Sequence, residues 1–528
     1  MRSLRPLLLA LALLPSPRAS GLDAAAVEGL GAEDSEEKIA AIRALVREGD
    51  PATLGLLKAL SEEALAVSGG RVLRLDGERA FDAATGAEVV PAPPDRETVT
   101  VNNRVRRELE GAMAALRLLD PDPGVRLTAA RELGDADDPE LAPLLERALA
   151  RETQADVRSI LSLIAARSNL HSPDPSVRRG AVRALASSSD RAVVGLLQGS
   201  LDAAAEPDGG VREEARASLR LVESRLAAAD VAGRLFSGIS LGSILLLAAL
   251  GLAITYGVMG VINMAHGELL MVGAYSAYVV QEAFARFFPH ATEWYPVAAI
   301  PVGFGAAFAV GIAMERTVIR LLYGRPLETL LATWGLSLVL IQCARTFFGP
   351  NNVQVPNPSW MSGGIALAAG IVLPSNRIVI IAFSLGVLAV VWILLNRTRL
   401  GLFVRAVTQN RAMAGCVGVP TGRVDAMAFG LGAGIAGLGG VALSQIANVG
   451  PEMGQGYIVD SFLVVVLGGV GQLAGAVWAA LALGVASKFL EASAGAVIAK
   501  ILLLGIVVVV IRKRPQGLFA PKGRTAEG

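Results

Sequence analysis

Apolar and polar positions divide this chain into two parts. From Gly238 to Ile511, apolar runs long enough to cross a bilayer alternate with short loops. Nine candidate spans begin near Gly238, Gly267, Pro296, Leu327, Arg377, Ala426, Ile458, Ala474 and Ala496. The run from Ile458 to Val470 is short, and the pieces around Asn263 and Gly471 are also compatible with re-entrant segments. Between Gly349 and Asn376 the pattern lapses into a stretch rich in Pro and Asn, which reads as a long external loop. Upstream, roughly 210 residues are polar and charged, with the periodicity of amphipathic helices. The pattern predicts an all-α fold, a polytopic membrane helix bundle of about nine spans preceded by a helical domain.

That domain is internally repetitive. The segments PDPGVRLTAARELG from Pro121, QADVRSILSLIAAR from Gln154, PDPSVRRGAVRALA from Pro173 and PDGGVREEARASLR from Pro207 each set a turn before Val-Arg and an apolar-periodic helix after it. The Val-Arg pairs recur at irregular intervals of about 32, 20 and 34 residues. The pattern resembles HEAT-type helical repeats, which bury their apolar faces only by stacking and serve as a binding surface or as a spacer. Between Gly69 and Asn103, RVLRLDGERAFDAATGAEVV alternates around Gly-containing turns, which predicts a small β-hairpin insert.

Positive charge supplies the topology. Arg316, Arg320 and Arg325, then Arg397, Arg399, Arg405, Arg411 and Arg423, then Arg512, Lys513 and Arg514 mark three regions as cytoplasmic. Nine crossings satisfy all three and put the N-terminus on the opposite side. Independently, Arg2 and Arg5 precede the apolar run Leu7 to Leu14, and Ala19, Ser20 and Gly21 offer a cleavage site, so residues 1–20 read as a secretory signal. That run would span only about 12 Å of a hydrocarbon core ~30 Å thick. Residues 21–230 are then an exported, periplasmic domain, 231–519 an inner-membrane domain and 520–528 a cytoplasmic tail. The net charge of +1 conceals an asymmetry: about 37 acidic against 26 basic side chains in 21–230, and about 10 against 19 beyond it. An acidic exported domain argues against a nucleic-acid partner. Cys343 and Cys416 read as packing residues, and no cofactor or metal is expected.

Two stretches carry chemistry. Asn263, His266 and Glu268 stand within six residues at the end of the first span, where polar groups are costly unless they face protein, water or substrate. On a regular helix Glu268 points about 140° away from Asn263, so the three line one path only if the chain breaks, which Gly267 would permit. The alternative is that His266 and Glu268 cap a helix or lie in the headgroup zone. The second stretch, NRTRLGLFVRAVTQNRAMAGCVGVPTGRV from Asn396, is amphipathic through Leu402, Ala406, Ala412 and Val417. It reads as a helix–turn–helix on the membrane face, ended by Gly415 and Gly418, and suits docking to a cytoplasmic partner better than a loop that merely fixes topology. The Gly-rich run Phe429 to Ala442 is a helix-packing surface. There is no G-x-x-x-x-G-K-[ST], so ATP hydrolysis would belong to another chain and this chain is not an enzyme. Asp460, alone in an apolar run, is a further candidate for function.

The stretches GISLGSILLLAALGLAITYGVMGVINMAHGELLMVGAY, LGLFVRAVTQNRAMAGCVGV and LVVVLGGVGQLAGAV resemble the permease subunits of branched-chain amino-acid-type ABC importers. More narrowly, VALSQIANVGPEMGQGYIVDSF, KFLEASAGAVIAKILLL and KRPQGLF, with the exported helical extension, resemble the urea importer permease. The resemblance implies a subunit embedded in membrane lipid beside a second permease, fed by a periplasmic binding protein and driven by two cytoplasmic ATP-binding subunits. It implies docking of those ATPases around Gly401, Arg405, Asn410, Arg411 and Gly418, while Asn263, His266, Glu268 and Asp460 are the expected substrate path on the reading of the residues alone. A permease for branched-chain amino acids or short amides, a passive urea or amide channel, and an anchored repeat scaffold are the alternatives.

Overall fold

The computed structural model describes residues 22–48, 50–77, 79–134, 142–367 and 371–519. The expected signal (1–20) and tail (520–528) lie outside the described residues. The chain separates into two compact units, one ending at Leu226 and the other beginning at Ala227.

The first unit contains α1 (Ala24–Gly29), α2 (Ser35–Glu48), α3 (Pro51–Ser61), α4 (Asn103–Arg117), α5 (Pro123–Glu132), α6 (Ala142–Arg151), α7 (Ala155–Asn169), α8 (Pro175–Leu185) and α9 (Ala192–Gly199). Recurrent Asp-Pro pairs start its helices. The side chains of Asp50, Asp122 and Asp174 accept the backbone N–H of Ala52, Gly124 and Ser176, while Pro51, Pro123 and Pro175 take the first helical position, where no N–H is needed. Three of the four Val-Arg arginines also share a task. Arg126 donates to Glu152 at 2.7 and 3.0 Å and to the carbonyls of Asp120 and Pro121, and Arg178 donates to Glu206 at 2.6 and 2.8 Å and to the carbonyls of Ser172 and Pro173. Arg212 repeats the carbonyl half of the pattern on Glu206 and Pro207. Each arginine thus ties the turn before its helix, and two of them also hold a buried carboxylate.

The expected hairpin is part of a larger sheet. β1 (Leu65–Ser68), β2 (Arg71–Asp76), β3 (Arg79–Asp82) and β4 (Glu97–Thr98) form an antiparallel sheet in the order β3-β2-β1-β4. The first strand escaped the sequence reading because LAVS continues the apolar period of α3. What separates them is the turn at Glu63, whose φ of 56° ends the helical run.

The second unit is built on α10 (Gly209–Met259), which begins in the first unit, then α11 (His266–Phe287), α12 (Tyr295–Thr317), α13 (Pro326–Phe348), α14 (Ser375–Arg397), α15 (Arg399–Gln409), α16 (Arg411–Cys416), α17 (Thr421–Leu443), α18 (Gln455–Gly468), α19 (Leu473–Ala494) and α20 (Ala496–Lys513). The stretch between α13 and α14 carries a short ribbon, β5 (Gly364–Leu367) with β6 (Ile371–Pro374). Among the described residues, six helices are long and apolar enough to cross a membrane: α10, α12 with the turn before it, α13, α14, α17 and α19. The nine expected spans differ by the other three. α18 has only 14 residues, α11 is diluted by Glu268, Gln281 and Glu282, and α20 carries Lys500, Arg512 and Lys513.

α17 is buried along almost its whole length, packed against α12 and α11. Its glycines make this possible. A Cβ at Gly432 would strike the backbone of Gly251 on α10, one at Gly437 the backbone of Gly303 on α12, and one at Gly440 the carbonyl of Leu270 on α11. The Gly-rich run is therefore a surface of backbone contact on three sides.

Candidate functional site

The polar cluster forms at a break between α10 and α11. Gly260, at φ +68°, ends the helix in a conformation that a side chain would strain, and residues 261–265 are not helical. The chain then turns back along α10. His266 Nε2 lies 2.9 Å from the carbonyl oxygen of Ala248, about three turns before that helix ends at Met259, so α11 starts alongside α10 rather than at its tip. Gly267 is not the hinge that the sequence suggested. It lies inside α11, pressed on the backbone of Gly454, where even a methyl group has no room.

Asn263, His266 and Glu268 are all buried. The Asn263 carbonyl oxygen accepts the N–H of Ala265 at 3.0 Å, which leaves its amino group without a protein partner. A backbone carbonyl can only accept, so His266 carries its proton on Nε2, and in the neutral ring Nδ1 remains as an acceptor with no partner. Glu268 Oε2 is likewise unpaired. The cluster thus presents one amide donor and two acceptors, groups that cost about 1–3 kcal/mol each when left unmet in a protein interior.

Sequence reasoning missed α13. Thr333 accepts the backbone N–H of Met264 at 3.1 Å, steadying the break, and Ser337 is the polar neighbour of Glu268. Thr329, Thr333 and Ser337 are all buried and stand four residues apart on one helix face. That spacing, visible in LETLLATWGLSLVL, was the available signal.

Asp460 is not alone. Its carboxylate lies 3.5 Å from Lys500 Nζ of α20, and Lys500 also donates to the carbonyl of Gly456 at 3.3 Å. An ion pair with a neighbouring helix, not an isolated intramembrane charge, therefore explains this residue. Cys343 and Cys416, expected in packing, are exposed.

The candidate coupling segment is α15 and α16. Gly401 lies against the carbonyl of Leu395 at the end of α14, and Arg405 donates to the same carbonyl, so the two residues fold α15 back on its predecessor. Asn410 caps α16 by accepting the N–H of Met413 at 2.9 Å, and Gly418, at φ +87°, follows its end. Arg411 is committed inward. It pairs with the buried Asp425 of α17, one of the two contacts being 3.0 Å, and its guanidinium stacks over Tyr323 at 4.1 Å. The Asp425 carboxylate holds the Arg411 proton more tightly than an isolated guanidinium would. This segment exposes the apolar Leu402, Phe403, Met413 and Val417 beside the polar Arg399, Arg405, Gln409 and Asn410.

Comparison with known proteins agrees with this architecture. The model of the family described as "Branched-chain amino acid transport system / permease component" matches residues 234–511. The high-affinity branched-chain amino acid transport system permease protein LivH of Salmonella typhimurium is 30% identical over 295 residues, which cover 54% of this chain and 94% of that protein. BraD of Pseudomonas aeruginosa, of the same description, is 28% identical over 290 residues, 54% of this chain and 94% of its own length. A putative glucose ABC transporter permease protein, TsgC13 of Haloferax volcanii, is 28% identical over 247 residues, 44% of this chain and 70% of that protein. No solved structure matches. With a matched region that takes in α11 to α19, the break and the coupling segment included, the chain belongs to the branched-chain amino acid transport system permease family and is a multi-pass membrane transport subunit.

Proposed function

We propose that this chain is the permease subunit of an ATP-driven importer and that its substrate is urea. The observation that carries the substrate is the complement of free atoms at the helix break. Asn263 offers a donor to a carbonyl, while His266 Nδ1 and Glu268 Oε2 offer acceptors to amino groups. Urea, a small neutral molecule with one carbonyl and two amino groups, matches that set. The resemblance of VALSQIANVGPEMGQGYIVDSF, at the end of α17 and the start of α18, to urea importer permeases supports the same choice. A non-helical segment running back along α10 is also the kind of backbone by which transporters line a substrate path.

In this reading two cytoplasmic ATPases dock on the exposed apolar residues of α15 and α16, a second permease completes the pathway, and an exported binding protein delivers substrate. The chain crosses an inner membrane nine times, α11, α18 and α20 included, with its helical-repeat unit outside and its C-terminus inside. A branched-chain amino acid is the second reading. LivH and BraD are described as its transporters, and Glu268 would suit an ammonium group.

Reconstitution of the complete transporter in liposomes decides the substrate. ATP-driven uptake of labelled urea, unaffected by excess leucine, is the expected result. Uptake of leucine with none of urea would overturn the choice in favour of the second reading.

A further inference from the structure

One arginine of the coupling segment pairs with a buried carboxylate of α17, and a second buried carboxylate, on α12, stands in the same cluster. Arg411, the first residue of α16, reaches Asp425 near the start of α17. Tyr323, just before α13, lies under its guanidinium. Glu315, in the last turns of α12, is also buried, stands among Asp425, Arg316, Arg320 and Arg411, and keeps one carboxylate oxygen without a hydrogen bond. Its nearest cation, Arg316, lies 3.7 Å away and is half exposed. Arg411 is paired with the first of these carboxylates, and the second belongs to a different helix, one turn beyond Gly311, which packs on Gly430 and Ala433 of α17.

We infer that Arg411 is a latch exchanged between Asp425 of α17 and Glu315 of α12, and that this exchange passes a displacement of α15 and α16 to the helices around the break. The inference rests on the reading of α15 and α16 as the ATPase-docking segment. The packing on the page makes the transmission direct. α17 meets α12 at Gly437 and Gly303, α11 at Gly440 and Leu270, and α10 at Gly432 and Gly251, beside the His266 ring. With no side chains between these backbones to absorb a shift, α17 moves as a rigid lever. Two carboxylates sharing one arginine supply the two discrete arrangements that coupling requires, because a buried charge pair that is broken must be made again nearby.

Asp425 and Glu315 are therefore positioning residues, and Asp425→Asn and Glu315→Gln test them in the complete transporter. Both variants are expected to co-purify the ATPases and to hydrolyse ATP, while transport per ATP falls about tenfold or more. Exchange of the partners, Arg411→Asp with Asp425→Arg, should recover part of that loss, which a variant that merely misfolds would not. Wild-type transport per ATP in Asp425→Asn or in Glu315→Gln would overturn the exchange. A substrate-independent measurement keeps the latch separate from the functional reading. In the purified chain alone, Asp425→Asn should raise amide hydrogen exchange in residues 411–416 severalfold while α12 and α17 stay protected. Equal exchange in wild type and variant would overturn the latch whatever the transporter carries, whereas raised exchange in a chain that binds no ATPase would leave the latch standing and refute the docking reading.

Discussion

Single residues here do work that their neighbours cannot take over. If Asn263 and His266 hydrogen-bond the substrate, Asn263→Leu and His266→Leu should each weaken transport by the value of one bond, about 0.5–1.5 kcal/mol, or a few-fold in half-saturation. Measured in assembled transporters at matched expression, unchanged kinetics in both variants would move the path elsewhere. Thr333→Val removes the hydroxyl that accepts the Met264 N–H and should lower transport without touching the free atoms. In the first unit, the hydrogen bonds from Arg126 hold the Glu152 carboxyl down to about 2, against 4.5 for a free one. A depressed folded value means that stabilisation is complete above about pH 4.5 and is lost as pH falls toward 2. Glu152→Gln should thus exchange its amides in residues 123–132 faster than wild type at pH 6, and the gap should narrow below about pH 4.5 and close only below about pH 2. Glu206 is held down in the same way by Arg178, so Glu206→Gln should loosen residues 175–185 in the same direction.

At the scale of elements, the sequence disclosed what periodicity and capping dictate, and it failed where tertiary contact decides. The Asp-Pro helix starts, the two short helices around Asn410 and the packing role of Phe429 to Ala442 were all legible, because each rests on interactions within a turn or two. The hinge was misplaced at Gly267, since a glycine needed for positive φ and one needed for close approach look alike in a sequence. Gly260 is of the first kind and Gly267 of the second. Lys500 was not matched to Asp460, nor Arg411 to Asp425, because long side chains pair across helices whose register no local pattern records. Close approach is testable by a matched pair of substitutions. Gly440→Ala places a methyl group on the Leu270 carbonyl and should destabilise the bundle by about 1–3 kcal/mol. Gly305→Ala, on the same bundle with open space at its Cβ, should be neutral or gain up to about 1 kcal/mol from helix propensity. Thermal unfolding of the purified protein distinguishes them, and equal behaviour of the two variants would refute the argument.

For the whole molecule the membrane sets the remaining constraint, because a chain threaded through it has sides. Three arginine clusters, placed in the cytoplasm by the positive-inside rule, demand an odd number of crossings if the N-terminus is exported. Among the described residues six helices are apolar enough to cross on their own, so the odd count depends on α11, α18 and α20. Polarity disqualifies α11 and α20 as isolated spans, yet both pack against the bundle: α11 against α12 and α17 along most of its length, and α20 against α19. We propose that such helices cross in company: Glu268 and Gln281 of α11 are buried, and Lys500 of α20 pairs with Asp460. On that proposal the chain has a definite sidedness. A reporter inserted in the exposed turn at Ala203 and Ala204, clear of the Asp208 cap on α10, should be active only outside the cytoplasm, and one after the exposed Gly418 only inside it. Third and fourth positions test the helices in doubt: a cysteine replacing the exposed Phe287, at the end of α11, should react with an impermeant thiol reagent in intact spheroplasts, and one replacing Lys513 should react only after permeabilisation. Cys343→Ser and Cys416→Ser are needed as background, since both native cysteines are exposed in the chain. Reaction at residue 513 without permeabilisation would make the count even and leave α20, which ends in Arg512 and Lys513, lying on the surface rather than crossing.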